Sequence, residues 1–328
     1  MKMMVVGEAD IRRAVDLEEA IVAVEEGFTH LAAGEVNLPP VMNLELPESK
    51  GELHVKGAHI ADASSFVVKL ATGFYDNPLI GLPSGGGMML VFSARTGFPE
   101  ALLLDNGYLT DLRTAAAGAI AAKYLAKQEL NTVGVVGAGA QGRYQIMALA
   151  KVRQFEKVLA YDVDRERLER YVQEMPETIG VNCQAVETVQ EVVTESDLVV
   201  TATPSSQPYV RAQWLHAGLH ITAMGSDSPN KQELESEALA RADLLACDLK
   251  TQCFERGELH HGLQDGIIAK EDRIVELGEL TSGRHPGRTD DSQVTICDLT
   301  GVGVQDAAIA ALAYEKAIQS DLVSSLEL

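Results

Sequence analysis

Gly137-Ala138-Gly139-Ala140-Gln141-Gly142 lies between an apolar run holding Val133, Val135 and Val136 and a stretch of helical character. In a GxGxxG so placed, the first glycine permits a tight turn and the second lets the backbone approach a pyrophosphate. The third lets the helix pack on the strand. The N-terminus of that helix offers free N–H groups and the positive end of a dipole to phosphate. Asp162 ends the next strand, "KVLAYD", twenty residues after Gly142. A carboxylate there accepts hydrogen bonds from an adenosine ribose and repels a 2′-phosphate, which favours NAD. Arg165 stands close enough to leave NADP open.

The elements around this turn follow from periodicity. Residues 17–34 read as an amphipathic helix on Ile21, Val24, Phe28 and Leu31, with Gly34 placed to end it. Pro39 and Pro40 exclude a helix in the segment that follows. Residues 52–60 and 66–72 read as strands, and "MMLVFSARTGFPEALLLD" as two more around a turn at Thr96-Gly97, so the first third is mixed with antiparallel strands. The alanine-rich stretch Thr110–Lys127 predicts a helix with Thr110 as its cap. Strands near 132–137, 157–162, 197–202, 219–224 and 243–247 then alternate with helices, the pattern of a parallel sheet covered on both faces. A late strand, 294–299, leads into a last helix from about Val304 to Ser320, placed to pack back on the first domain.

Bulk properties narrow the function classes. The 328 residues suffice for about two domains, and 46% hydrophobic with 23% charged residues describes a globular chain with a core. A formal charge of −21 repels phosphate backbones and argues against nucleic-acid partners. The four cysteines form no CxxC pair, which suggests neither a zinc knuckle nor a redox motif and fits a reducing cytoplasm. The N-terminus has no signal-peptide pattern, and no apolar run is long enough for a bilayer span. His260 and His261 are adjacent and do not share a helix face, so no metal site is expected.

"DLRTAAAGAIAAKYL", "GVVGAGAQGR", "TAMGSDSPNKQEL" and "VTICDLTGVGVQD" occur in an order and spacing that resemble the ornithine cyclodeaminase/mu-crystallin family, over nearly the whole chain. The likeness is strongest to the ectoine-utilisation cyclodeaminase-like branch, which shares "ALLLDNGYLTD", "AMGSD" and "GELHH", and iminosuccinate reductases are near relatives. The resemblance implies an α/β fold: a Rossmann NAD-binding domain at 119–303, and an α+β dimerisation and substrate domain built from both chain ends, 1–118 and 304–328. It implies a homodimer.

The resemblance also implies site residues. Lys69, flanked by Val67, Val68 and Leu70, matches the lysine that binds the substrate carboxylate near the nicotinamide. Arg113 falls in the first turn of the alanine-rich helix, where guanidinium and helix N-terminus both favour an anion, either a substrate carboxylate or a cofactor phosphate. Asp227 matches the acid/base of cyclodeaminases, at the carboxyl edge where parallel sheets bind ligands, with burial beside the nicotinamide as the means of tuning it. A purely structural alternative makes it the N-cap of a helix through "SPNKQELESEAL". Ala140, Gln141, Thr203 and Lys231 match cofactor contacts, and Thr114 and Ser226 in the same motifs are assigned with them.

Two departures bear on the substrate. Many members carry an arginine after the early prolines as a second carboxylate clamp. This chain has no arginine between Arg13 and Arg95; Asn43 stands near the expected place and Lys56 is the candidate to supply the charge. Gly85, Gly86 and Gly87 replace bulkier residues and suggest room for a larger substrate side chain. Three functions fit. The first is reduction of a 2-imino acid to an L-amino acid by NAD(H), with an intermediate of ectoine or hydroxyectoine breakdown or an iminosuccinate-like imine as substrate. The second is a cyclodeaminase that recycles its own NAD. The third is a mu-crystallin-like protein that binds its ligand with a dinucleotide.

Overall fold

The alternation of strands and helices is realised in a computed structural model, which describes residues 2–320 and 324–327, the side chain of Pro78 excepted. The chain divides into two units, Met1–Arg113 with Val302–Leu328, and Thr114–Gly301. The first unit carries β1 (Lys2–Gly7), β2 (Val36–Asn37), β3 (Met42–Leu46), β4 (Gly51–Ile60), β5 (Ser65–Phe74), β6 (Gly85–Ser93) and β7 (Pro99–Leu104). The second carries β8 (Thr132–Val136), β9 (Lys157–Tyr161), β10 (Asn182–Ala185), β11 (Leu198–Thr201), β12 (His220–Ala223), β13 (Leu244–Cys247), β14 (Val275–Glu276) and β15 (Thr295–Asp298). A final strand, β16 (Ser324–Glu327), returns to the first unit and pairs with β1.

The first unit is an α+β domain made from both chain ends. Its sheet runs β16-β1-β7-β6-β5-β4-β2, with β3 also on β4. β4 to β7 are antiparallel neighbours, and β1 joins β7 in parallel. The Leu17–Ala32 helix opens on Asp16, whose carboxylate accepts from Glu19 N at 2.8 Å, and ends before Gly34 at φ +75°. It buries Ile21, Val24 and Phe28. The helix Gly303–Gln319 packs on it and on β4 and β5. Small residues let these elements approach: a Cβ on Gly27 would lie 3.3 Å from the Cβ of Ala308, and one on Gly303 would lie 2.7 Å from the Gly57 carbonyl oxygen.

The alanine-rich helix spans Tyr108–Leu125, two residues earlier at its start than the sequence suggested. Thr110 is therefore not its cap. Gly107 holds the cap position, its carbonyl accepting from Asp111 N at 2.9 Å, and Asp105 ties down the first turn: its carboxylate accepts from Leu109 N at 2.9 Å and its carbonyl from Tyr108 N at 3.0 Å.

The second unit is a Rossmann domain. All seven pairings in its sheet are parallel, in the order β10-β9-β8-β11-β12-β15-β13-β14. After β8 the chain builds outward on one side through β9 and β10, then returns to β8's other side with β11. That reversal puts a crevice at the carboxyl ends of β8 and β11. Val133, Val135, Val136, Val199, Ile221, Ile296 and Cys297 fill the sheet's core. Within it His220 bonds Thr295 Oγ1 at 2.8 Å and Thr222 Oγ1 at 3.1 Å, and burial, with Arg288 near, pulls its pKa down to about 3. No helix among the described residues is long and apolar enough to cross a membrane.

Close packing at the third glycine of the turn is testable. A Cβ on Gly142 would stand 1.9 Å from the Gly137 carbonyl oxygen, and backbone cannot yield as a side chain does. Gly142→Ala is expected to cost about 3 kcal/mol, the upper part of the overpacking range. Urea denaturation reads the change, and an unmoved midpoint would refute the packing role.

Candidate functional site

In the second unit the glycine turn has the geometry of a phosphate cradle. Gly137 sits at φ +102°, and a Cβ there would meet the Ala202 carbonyl oxygen at 2.5 Å. Gly139 faces open space, with nothing within 4 Å of where its Cβ would be. It precedes the helix Ala140–Val152, whose N-cap makes no side-chain hydrogen bond. The first N–H groups of that helix are thus not taken by a side-chain cap. Ala140 and Gln141 are its first two residues. Thr114 supports the helix from behind, its carbonyl accepting from Gln145 Nε2 at 2.9 Å. Asp162 is buried; Oδ2 accepts from Ala138 N and Oδ1 from Asp164 N, both at 2.8 Å. A carboxylate oxygen has two lone-pair sites, so Asp162 fixes the turn and keeps acceptor capacity for a hydroxyl. An open second glycine, an uncapped helix end and a held acid suit the pyrophosphate and ribose of a dinucleotide.

The loops after β11 and β12 hold the other predicted residues of this unit. Thr203 donates from its backbone N–H at 2.7 Å and from Oγ1 at 2.8 Å to Glu233. Ser226 Oγ donates to the Lys231 carbonyl, which His261 Nε2 also contacts at 2.8 Å. Lys231 Nζ in turn pairs with Asp227 Oδ1 at 2.7 Å. The Asp227 side chain is 46% exposed and that of Lys231 16%. The turn carrying Asp227 is therefore fixed by a hydroxyl, an imidazole and an ion pair.

The first unit gathers cations. Lys56 and Lys69 face each other across the β4–β5 register, and both are buried, as is Arg113. Like charges directly opposed on a sheet repel. The counter-charge is Asp306, in the first turn of the Gly303–Gln319 helix, with Lys69 Nζ at 3.0 Å and Arg113 Nε at 3.1 Å from Oδ1. Gln305 joins from the same turn: its Oε1 accepts from Val302 N at 2.6 Å and from Arg113 Nη1 at 3.4 Å. Burial lowers the Lys69 pKa to about 7, with Arg113 and Lys56 adding to the effect and Asp306 opposing it. Burial pushes the Asp306 carboxyl up, but Lys69, Arg113 and Lys56 outweigh it and hold it below the usual range. Burial raises the nearby Asp105 carboxyl. The cluster thus has more buried positive than negative charge, the electrostatics of an anion site.

The sequence profile of the ornithine cyclodeaminase/mu-crystallin family matches residues 1–321. The chain belongs to that family. It is 43% identical over 327 residues to a protein of Sinorhizobium fredii named as an uncharacterized cyclodeaminase, covering 99% of each chain. Its fold is similar to the Thermococcus litoralis Delta(1)-pyrroline-2-carboxylate reductase solved with NADH and L-proline, at TM-score 0.94 and 29% identity, over 99% of this chain and 100% of that one. It is also similar to an archaeal alanine dehydrogenase solved as a dimer with bound NAD, at TM-score 0.93 and 35% identity over 100% of both chains.

Within this member of the cyclodeaminase/mu-crystallin family several expectations change. Asp227 does not cap a helix: residues 228–230 form a turn, and the next helix, Ser236–Leu239, begins after Glu235. Nor is Asp227 deeply buried; its side chain is nearly half exposed and pairs with Lys231 Nζ. Arg165 does not approach Asp162, because Glu187 takes it in a two-point pair; Arg167 lies nearer, 3.7 Å from Asp162 Oδ2. Gly87 is not spare room, since its Cβ would stand 2.6 Å from the Leu70 carbonyl oxygen. Asn43 pairs with His54 between β3 and β4, while Lys56 occupies the cation cluster. His260 and His261 each contact a backbone carbonyl, of Phe254 and Lys231.

Sequence reasoning missed Asp306 and Glu233, although both lie in the motifs quoted above. Acidic residues on amphipathic helices are usually solvated, so an acid in "VGVQD" or "NKQEL" gives little sign of burial. The nearest signal for Asp306 is its run of small neighbours, Ala307, Ala308 and Ala310, which marks a tightly packed helix.

The lowered Lys69 pKa has a measurable consequence. At pH 8 the amine is mostly neutral, and an arriving carboxylate favours its charged form. Binding of a carboxylate ligand at that pH is expected to take up a proton, of order one per site. Titration calorimetry in two buffers of different ionisation enthalpy reads the uptake. It should vanish in Lys69→Met, and proton release instead would contradict the charge balance.

Proposed function

We propose that this chain is an NAD(H)-dependent oxidoreductase that reduces a 2-imino acid to an L-amino acid. The observation that carries the proposal is the buried cluster of Lys56, Lys69 and Arg113 around the Asp306 carboxylate, with the Asp105 carboxyl nearby raised by burial. Lys56 and Arg113 stand with a Lys69 amine whose pKa is lowered to about 7, and a substrate carboxylate that draws a proton onto Lys69 completes the charge balance. The dinucleotide is assigned to Gly137, Gly139, Ala140, Gln141 and Gly142, with Asp162 accepting from the ribose. NADP is disfavoured by Asp162 and by the engagement of Arg165 with Glu187. Thr114, Thr203, Ser226 and Lys231 complete the cofactor assignment. The solved pyrroline-2-carboxylate reductase supports this reading, because its name and its bound NADH and L-proline describe an imine and an amino acid at a nicotinamide enzyme.

When bound, NADH supplies the hydride for the C=N carbon. Lys69 and Arg113 hold the substrate carboxylate as charge-assisted partners, and Lys56 takes the part of the missing arginine. Asp227, or a water it orients, manages the proton on the imine nitrogen, while Lys231 at 2.7 Å sets its direction. The balance is one imino acid, one NADH and one proton to one L-amino acid and NAD. An intermediate of ectoine or hydroxyectoine breakdown, or an iminosuccinate-like imine, is the proposed substrate class. The cyclodeaminase relative at 43% identity favours a second reading, in which the same residues serve oxidation and re-reduction within one turnover.

We also infer a homodimer. The solved archaeal alanine dehydrogenase is a dimer. In this chain Met42, Leu44 and Leu46 on β3 are 57%, 50% and 41% exposed, and Leu79 is 83% exposed, in the unit built from both chain ends. Apolar side chains so exposed mark a surface that association would cover.

Net loss of NADH with an imino acid, formed from a 2-oxo acid and ammonia, is the expected result with purified protein. Lys56→Met, Lys69→Met and Arg113→Met should each lose about 2–4 kcal/mol of transition-state stabilisation, roughly 30- to 1000-fold in kcat/KM. Ammonia release from a diamino acid without net NADH change would establish the cyclodeaminase instead. Ligand binding with neither reaction would favour the binding-protein function. Light scattering after size exclusion should give twice the chain mass; the monomer mass would exclude the dimer.

A further inference from the structure

Glu233 is fully buried, forms no ion pair among the described residues, and is the meeting point of two loops. Besides Thr203 N and Thr203 Oγ1, its Oε1 accepts from Tyr209 OH at 2.6 Å. Its Oε2 accepts from Thr201 Oγ1 at 2.7 Å and from Gly225 N at 2.8 Å. Three of these donors belong to Thr201 and Thr203, at the end of β11 and in the loop after it. The Gly225 donor lies in the loop after β12, two residues before Asp227. The close approach is selected for by residue type: a Cβ on Gly225 would stand 2.5 Å from the Glu233 carboxyl and 2.3 Å from the Thr203 carbonyl oxygen. The backbone of Glu233 is itself held, since Glu258 accepts from Glu233 N at 2.9 Å and Leu234 N at 3.2 Å. An acid buried without a cation is costly unless its hydrogen bonds are worth more than its desolvation. The two carboxyl-edge loops also share backbone bonds farther out, from Gln232 N to the Ser205 carbonyl at 2.8 Å and from Tyr209 N and Val210 N to the Glu233 carbonyl at 2.9 and 3.0 Å; the Glu233 carboxyl adds the side-chain link that reaches Thr203 N and Gly225 N.

We propose that Glu233 is a positioning residue that sets the spacing between the Thr203 loop and the Gly225–Asp227 turn, and so places Asp227 for proton transfer; the catalytic part of this inference rests on the function proposed above. Glu233 touches neither substrate nor cofactor in this role. It acts through Thr203 and through the turn that carries Asp227.

Glu233→Gln keeps the size of the side chain but turns an NH2 group against donors on one side. Amide hydrogen exchange on the full chain should then quicken by roughly tenfold or more at Thr203 and Gly225, while residues 137–145 stay as in the wild type. In steady-state assays kcat should fall by about 30-fold or more, with a much smaller rise in the NADH dissociation constant. The pH dependence of kcat should also move, because Asp227 is displaced. Thr201→Val, nearly isosteric and outside the binding residues, should show the same pattern more weakly and serves if Glu233→Gln does not fold. Unchanged exchange at Thr203 and Gly225 would overturn the proposal. So would a uniform quickening across 114–301 with parallel losses of kcat and NADH binding, the mark of a merely structural residue. If the wild type reduces no imine yet the local exchange result holds, the loop-positioning role stands and the function proposed above is what fails.

Discussion

Lys69 and Arg113 can be buried together only because Asp306 is buried with them. Without a counter-charge, two cations out of water, with Lys56 opposite Lys69 on the next strand, would repel one another and lose their hydration. The constraint reaches far along the chain. Lys69 comes from β5, Arg113 from the alanine-rich helix, and Asp306 from a helix that begins after the whole Rossmann domain has been threaded. A first unit made from both chain ends is thus an electrostatic requirement as well as a topological one. The glycine and alanine contacts of the Gly303–Gln319 helix serve the same end, since they let the first turn come close enough for an ion pair at 3.0 Å.

The two units solve opposite problems of burial. The first keeps an excess of cations, whose charge an anionic ligand completes. The second buries acids. Glu233, Glu258, Asp248 and Asp298 lie at 0–1% exposure; the first three are satisfied by N–H and O–H donors rather than by lysine or arginine, while Asp298 accepts from Leu259 N at Oδ2 and its Oδ1 has no hydrogen-bond partner among the described residues. Burial raises Glu258 and Asp298 well above the usual carboxyl range. One arrangement receives charge from outside; the other uses carboxyls as multi-point acceptors that pin loops. A substitution at Asp306 would therefore disturb charge balance, whereas one at Glu233 would disturb geometry.

What was legible in the sequence was local. The Leu17–Ala32 helix shows in its apolar spacing and in the Gly34 that follows its end, and the glycine turn shows because each glycine answers a separate steric demand. The start of the alanine-rich helix was misplaced for a local reason too: Thr110 is a good cap by type, while Gly107 and Asp105 hold the start that forms, and only the fold decides between them. Lys69, Arg113 and Asp227 were legible through family motifs, not through periodicity. Asp306 and Glu233 were not, because an acid's burial depends on partners far away in sequence, and its own neighbourhood resembles any solvated face. Asp227 shows the same limit in reverse, since a carboxyl at a sheet's carboxyl edge was expected to be buried but is paired and half exposed.

The formal charge of −21 gives the cation cluster a further meaning. A surface of this sign repels both a carboxylate substrate and a dinucleotide over a Debye length, about 8 Å at physiological ionic strength. Long-range steering therefore works against both, and recognition must come from short-range charge held out of water. In the function proposed above, Lys56, Lys69 and Arg113 meet that condition because they are buried, where attraction is screened far less than at the surface. The glycine turn meets it differently, with backbone N–H dipoles that carry no net charge and add nothing to the surface field. The acidic exterior and the buried cations are thus compatible, and in the function proposed above a substrate anion would be sensed only on close approach.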